Sequence, residues 1–261
     1  MNLSLEGKNA VVCGSTQGIG YAVAEELALL GANCTLIARN EESLKEAVHN
    51  LDIALRQQHN YIVVDFGSTD EVKKAIEEHI AKHPVHILIN NTGGPNPGPI
   101  VNAGTEEFEN AFRQHLINNH NLAQAVLPGM KAAGYGRIIN IISTSVRIPL
   151  QNLGVSNTIR AAVASWAKTL SNEVAQFGIT VNNILPGLTD TKRLNDLIAA
   201  IAKGRGLDDN IIRKEMINTV PAKRLGDAEE IANVVAFLAS SAASYVNGIS
   251  IPVDGGRTGT I

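Results

Sequence analysis

Short apolar runs alternate along the whole chain with longer stretches in which apolar positions recur every three or four residues. Runs bounded by turn residues mark buried strands, and the three-to-four spacing marks amphipathic helices. Asn9–Cys13 therefore predicts a first strand, and residues 19–30 a first helix closed by Gly31 as a left-handed cap. Strands follow at 34–38, 61–64, 87–89, 137–142, 180–184 and 249–253. Between them the spacing predicts helices at 41–55, at 69–82 with Thr69 or Asp70 as N-cap, through His115 and Leu122, at 155–177 and at 231–239. Strand–helix–strand order of this kind requires a parallel sheet with right-handed crossovers. Residues 189–224 are the one irregular region, polar and rich in Lys and Arg, and a long insertion after a strand predicts a substrate lid.

Composition narrows the picture. The chain has 261 residues, 44% hydrophobic but only 4% aromatic, so its core is aliphatic, as a buried parallel sheet requires. The expectation is one α/β domain over residues 1–261, doubly wound, with seven parallel strands and helices on both faces. With 22 basic and 25 acidic residues the net charge is −3, which offers no basic field to nucleic acid or an anionic membrane. Met1 to Lys8 lacks the basic start and apolar stretch of a signal peptide, and no run of about 18 apolar residues occurs, so a cytoplasmic location is expected. Cys13 and Cys34 sit in apolar runs and read as reduced, buried thiols.

The chemistry begins where the first strand runs into Gly14, Ser15, Thr16, Gln17, Gly18, Ile19 and Gly20. Glycines between a first strand and a first helix allow a tight turn and close backbone approach to a pyrophosphate, with the helix N-terminus facing the phosphates. At the end of the second strand, Leu36 to Asn40 holds no acidic residue to take two ribose hydroxyls. Arg39 instead offers a guanidinium to a 2′-phosphate, which points to NADP(H) ahead of NAD(H).

These residues resemble the short-chain dehydrogenases/reductases, with Cys13 in place of the family's usual Thr before Gly14. The pattern continues in Asp65, in Asn90-Asn91-Thr92-Gly93 with Thr92 for the usual Ala, in Ser143, in Pro186-Gly187 through Thr191, and in Asp254-Gly255-Gly256. The resemblance covers the whole chain and is strongest to 3-oxoacyl-acyl-carrier-protein reductases. It implies a Rossmann-type fold, a carbonyl substrate that is a small molecule or carrier-bound acyl group, and a homotetramer built through the helices holding residues 118–127 and 163–177. It also implies a cofactor set beyond the glycine loop. Asp65 and the Phe66 backbone receive the adenine, and Asn91 lies along the adenosine ribose with Gly93 nearby. Pro186, Gly187, the Thr189 backbone and the Thr191 side chain hold the nicotinamide end.

At the catalytic end the pattern breaks. The family uses Asn, Ser, Tyr and Lys, the last two one helical turn apart so that the Lys charge lowers the phenol's pKa. Aligned on residues 136–143, Ser143 is retained, but Ser156 stands for Tyr, Arg160 for Lys and His115 for Asn. The four tyrosines, Tyr21, Tyr61, Tyr135 and Tyr245, lie elsewhere, and no Tyr-xxx-Lys occurs. Serine is far too weak an acid to replace phenol, and arginine stays protonated. Ser143, Ser156 and Asn157 can donate to a carbonyl oxygen, while Arg160 supplies positive potential and contacts ribose hydroxyls. The proton then comes from water, or from His115, whose ordinary pKa suits a relay. The plainer reading of His115, and the one favoured over a relay, is a helix histidine facing a partner subunit or a satisfied polar pocket. Two functions follow: a reductase with a rebuilt site, or an NADP(H)-binding sensor or partner protein without catalysis.

Other patterns carry less. His79, His83 and His86 have ligand-like spacing, but Pro84 interrupts them and no carboxylate or Cys joins them, so they read as a solvated helix end. Neither Ser143 nor Ser156 lies in Gly-x-Ser-x-Gly, which argues against a serine hydrolase. Arg205 and Arg213, among the lid's basic residues, are candidates to dock an acidic carrier or CoA phosphates.

Overall fold

The structure, a computed structural model, describes residues 1–260. Seven strands form one parallel sheet in the order β3-β2-β1-β4-β5-β6-β7: Asn9–Cys13, Asn33–Ala38, Asn60–Val63, Ile87–Asn90, Gly136–Ile141, Ile179–Pro186 and Ser250–Val253 are β1 to β7 in chain order. Both faces are covered, so successive strand residues serve opposite layers. Val12 and Ile139 pack with α1 (Gly18–Leu29), α2 (Glu41–His49) and α9 (Ala228–Ala239). Val11 and Ile138 pack on the other side with α3 (Thr69–Ile80), α5 (Asn118–Ala133) and α6 (Gly154–Val174). This double burial explains why the strands read as continuous apolar runs.

Strand order reverses between β1 and β4. The loops after these two strands therefore diverge, leaving a crevice at their C-terminal ends. From β4 across to β7 the strands are also tied together by side chains. Asn90, Asn140, Asn183 and Ser250 are register neighbours on β4 to β7. Asn90 Nδ2 donates to Asn140 Oδ1 (2.8 Å), Asn140 Nδ2 to Asn183 Oδ1 (2.9 Å), and Asn183 Nδ2 to Ser250 Oγ (3.1 Å). The three asparagines are buried, so each rung satisfies amide groups that would otherwise be desolvated at a cost.

Several expectations are corrected. The second helix stops at His49, because Leu51 turns into the core and Asp52 caps Ala54 N in a following loop that includes Arg56 at φ +61°. Ser68, not Thr69 or Asp70, is the N-cap of α3, and it makes no side-chain cap bond. Asp65 lies beyond β3, which ends at Val63. The long helix through His115 is interrupted: α4 (Thr105–Phe112) runs into a π-helical turn at Arg113–Ile117 before α5 begins. Residues 189–224 carry two helices, α7 (Lys192–Arg205) and α8 (Asp209–Asn218), packed around Leu194, Ile198, Ala202, Ile212 and Leu225. Their polar surface hid this small core. His86 is not a solvated end, since its Nδ1 accepts from Asn9 N (3.1 Å) and fixes the start of β1.

Gly31 does close the first helix at φ +97°. Cys13 and Cys34 are buried and free, and burial pushes both thiols up to about 12. Among the described residues no helix is long and apolar enough to cross a membrane.

Replacing Asn140 by Ala breaks two rungs at once and strands the amides of Asn90 and Asn183. We expect the free energy of unfolding to fall by about 2–4 kcal/mol, read as a lower urea midpoint at unchanged slope. A loss below about 1 kcal/mol would show that the ladder is not a structural tie.

Candidate active site

The crevice is built from β1 outward. Gly14 and Gly18 both have φ +58°, a left-handed conformation that glycine adopts freely. A Cβ on Gly14 would lie 2.5 Å from Asn91 O, and one on Gly20 would strike the Gly14 carbonyl and lie 2.6 Å from Asn91 Nδ2. Asn91 Nδ2 donates to Cys13 O (3.2 Å) and Gly14 O (3.1 Å), pinning the loop after β4 to the loop after β1. Ser15 Oγ is buried and donates to Val12 O (2.8 Å), holding the turn from below. Gln17 makes no side-chain cap, and the first turn of α1 carries no acidic residue. Its amides are left for an anion. Gly18 faces Thr191, whose Cγ2 is 3.5 Å from the position of an added Cβ.

The flanks are also placed. Arg39 stands exposed at the end of β2, with no ion-pair or hydrogen-bond partner among the described residues, while Asn40 caps α2. Asp65 is exposed, its Oδ1 accepting from Gly67 N (2.8 Å). Phe66 O accepts from Asn118 Nδ2 (2.7 Å). Across the crevice Gly187 lies against Asp254, where a Cβ would come within 2.6 Å of its Cα. Thr189 is buried and bridges to Gly226, and Thr191 Oγ1 accepts from Leu194 N as the N-cap of α7.

The candidate reacting end, by the expected positions of Ser143, Ser156 and Arg160, lies where β5 meets α6. Ser143 Oγ accepts from Ser145 N (3.1 Å). Ser156 and Arg160, one turn apart on α6, are both buried. Arg160 Nε donates to Ser156 Oγ (3.3 Å) and Nη1 to Ile141 O (3.2 Å), so the guanidinium is clamped to the end of β5. Both serine oxygens are thus occupied as acceptors, and each hydroxyl hydrogen is free to donate. Burial, then the charge of Arg193, lowers the Arg160 pKa to about 10, so it remains a cation at neutral pH.

His115 is buried on the π-helical turn, a feature that recurs at functional sites. Its Nδ1 shares a hydrogen bond with Thr92 Oγ1 (2.7 Å), and its Nε2 has no partner among the described residues. Two of the departures from the family pattern, Thr92 and His115, therefore touch each other. The near-neutral pKa expected for a relay is absent. Burial, then the charges of Arg160 and Arg193, push His115 down to about 3, so the ring is neutral across the physiological range. Arg193, on the first turn of α7, was legible only as one lid charge among many. In the structure its guanidinium reaches Gly94, beside that of Arg160. The two lid arginines singled out for docking are engaged internally: Arg205 pairs with Glu215, and Arg213 with Asp190 and Asn195.

Because His115 keeps a low pKa only when folded, the unfolded chain binds the extra proton first as pH falls. The corresponding stability is present above pH about 6.5 and drains away as pH approaches 3. Between pH 6.5 and 5 we expect wild type to lose on the order of 1–2 kcal/mol more than His115→Asn, read from urea unfolding at each pH. Parallel acid limbs in the two proteins would contradict this.

Comparison with known proteins fits this geometry. Residues 14–258 match the family model described as Enoyl-(Acyl carrier protein) reductase. The 3-oxoacyl-[acyl-carrier-protein] reductase of Pseudomonas aeruginosa is 36% identical over 259 residues, covering 97% of this chain and 98% of that one. The L-sorbose reductase of Gluconobacter frateurii, solved with NADPH and L-sorbose, superposes over 100% of both chains with a TM-score of 0.94 at 32% identity. The gluconate 5-dehydrogenase of Burkholderia cenocepacia, solved with NADP and tartrate, covers 100% of this chain and 98% of that one, with a TM-score of 0.88 at 30% identity. The glycine cradle, the strand order and this likeness along the whole chain place the protein in the short-chain dehydrogenase/reductase family.

Proposed function

We propose that the protein is an NADP(H)-dependent reductase acting on a carbonyl, a 3-oxoacyl thioester or a similar ketone. The observation that carries the reading is the clamped pair of Ser156 and Arg160, a hydroxyl donor and a buried cation, together with a phosphate-loop turn in which Gly14 and Gly20 have no room for a Cβ. The residues fit a dinucleotide. Gly14, Ser15, Thr16, Gly18, Ile19 and Gly20 form the cradle, where Gly14 and Gly20 have no room for a Cβ, and the uncapped α1 N-terminus suits its diphosphate. Arg39 is a free cation for a 2′-phosphate. Asp65 and Phe66 would flank the adenine, Asn91 and Gly93 the adenosine ribose, and Pro186, Gly187, Thr189 and Thr191 the nicotinamide end. NADP-bound and NADPH-bound relatives of the same fold support the choice of dinucleotide.

When bound, the nicotinamide supplies the hydride. Ser143 and Ser156 donate hydrogen bonds to the carbonyl oxygen and stabilise the charge that develops there, and Arg160 adds positive potential from a site largely shielded from water. With its pKa pushed down to about 3, His115 holds no imidazolium proton to deliver at neutral pH, which leaves water as the proton source. The α7–α8 unit would close over the substrate as a lid, and the resemblance supports assembly as a homotetramer. The missing Tyr favours one other reading, a protein that binds NADP(H) without turning over a substrate.

NADPH should bind at least tenfold more tightly than NADH, and Arg39→Ala should remove most of that difference in a fluorescence titration. Tighter NADH binding would reverse the cofactor assignment. NADPH oxidation with acetoacetyl-CoA and a panel of activated ketones should show turnover that Ser143→Ala lowers by 10-fold or more. Tight NADPH binding with no turnover on any of them, and no effect of Ser143→Ala, would establish the binding-protein reading instead.

A further inference from the structure

The region between β4 and the lid holds three basic side chains, Arg160, Arg193 and His115, and among the described residues no carboxylate pairs with any of them. Positions within 2.5 Å of Arg193 Nη2 and 2.9 Å of Arg160 Nη2 coincide at the site of a Cβ on Gly94, so both guanidinium groups crowd onto one glycine. Arg160 is 8% exposed, and its Nη2, unlike Nε and Nη1, has no acceptor among the described residues. Arg193 is exposed, yet it has no hydrogen-bond or ion-pair partner among the described residues. The other arginines of the lid region are all paired: Arg205 with Glu215, Arg213 with Asp190 and Arg224 with Glu230. The nearest acidic residues of α7 are spoken for, since Asp196 holds Lys192. Beside the two arginines lies His115, 4% exposed, with Nε2 unpartnered. Both arginine charges act on this ring.

Two like charges held side by side repel each other, and the buried one, Arg160, also loses hydration while its Nη2 stays unpaired, which is costly. A stable fold keeps such a pair when an anion completes it. Planar guanidinium forks match a carboxylate bidentately. We propose that Arg160 Nη2 and Arg193 form the seat for a carboxylate carried by the substrate itself, so that the protein reduces short oxo acids. The chain length follows from Arg160. Its Nε faces the Ser156 hydroxyl assigned to the carbonyl, and its Nη2 faces the seat. Carbonyl and carboxylate are therefore about one guanidinium apart, which fits a 2- or 3-oxo acid. The reaction balances as an ordinary reduction. The carbonyl carbon gains a hydride, its oxygen gains a proton from water, NADPH becomes NADP⁺, and the carboxylate is unchanged. The cofactor's diphosphate is the other anion in reach. It has its own seat at the α1 N-terminus, where Gly18 faces Thr191. Arg193 also closes the site from the first turn of α7, so substrate charge draws the lid down.

The proposal deepens the reductase reading and rests on it, so binding is measured apart from turnover. NADP⁺ is titrated first by calorimetry, since failure to bind it would sink the reductase reading before the seat is tested. Acetoacetate and its neutral ethyl ester are then titrated into the NADP⁺ complex, where no reduction can occur. Acetoacetate should bind at least tenfold more tightly than the ester. Arg193→Gln should erase that preference, leave the ester and NADP⁺ affinities within about twofold of wild type, and keep the melting temperature. Arg193→Lys should restore part of it. Equal binding of acid and ester by wild type would overturn the seat, as would an Arg193→Gln defect confined to NADP⁺ affinity. Acetoacetate binding without any NADPH-driven turnover would leave the seat standing and refute the reductase reading alone.

Discussion

The site depends on one close approach of backbone to backbone. Gly14 and Gly20 bring the turn after β1 so near Asn91 that neither could carry a Cβ without moving the start of the fourth loop. Asn91 returns the constraint by bonding both Cys13 O and Gly14 O. Everything that follows β4, including Thr92 and Gly94, is thereby placed against the first helix. Since Thr92 holds His115 and Gly94 lies under Arg160 and Arg193, the reacting end inherits its position from this contact.

The replacements at the reacting end form a set. Arginine in place of lysine brings a planar, five-donor group that spans Ser156, the Ile141 carbonyl and open space at once. Histidine in place of asparagine fits because the helix bulges there by a π turn and because threonine replaces alanine opposite it. Each change would be awkward alone. Together they leave the Ser143 and Ser156 hydroxyls beside a cationic pocket with a neutral imidazole at its back.

Most of the fold was readable because a sheet covered on both faces leaves apolar runs that nothing else in the chain imitates. The strand limits fell within two residues of the observed ones, and Gly31 announced its own turn. What escaped was governed by contacts distant in sequence. The helix after β2 ends early because Leu51 finds the core, and α7 and α8 look polar because only one narrow face of each is buried. The site was half legible. Gly14 to Gly20 and Ser143 carry their meaning in local order, as do the positions of Ser156 and Arg160. The meeting of Arg160 with Arg193, 33 residues further on, and of Thr92 with His115 belongs to the folded chain alone.

The asparagine ladder bears on how the protein is made as well as how it is held. Its rungs join residues 90, 140, 183 and 250, separated by 50, 43 and 67 positions. No rung can form until a whole strand–helix unit has closed its loop, and such distant closures slow folding. A ladder completed only once β7 docks belongs to the far side of the folding barrier. Its bonds would then govern how slowly the molecule comes apart and have little influence on how quickly it assembles. A newly made chain would gain its resistance to unfolding only when its last strand arrives.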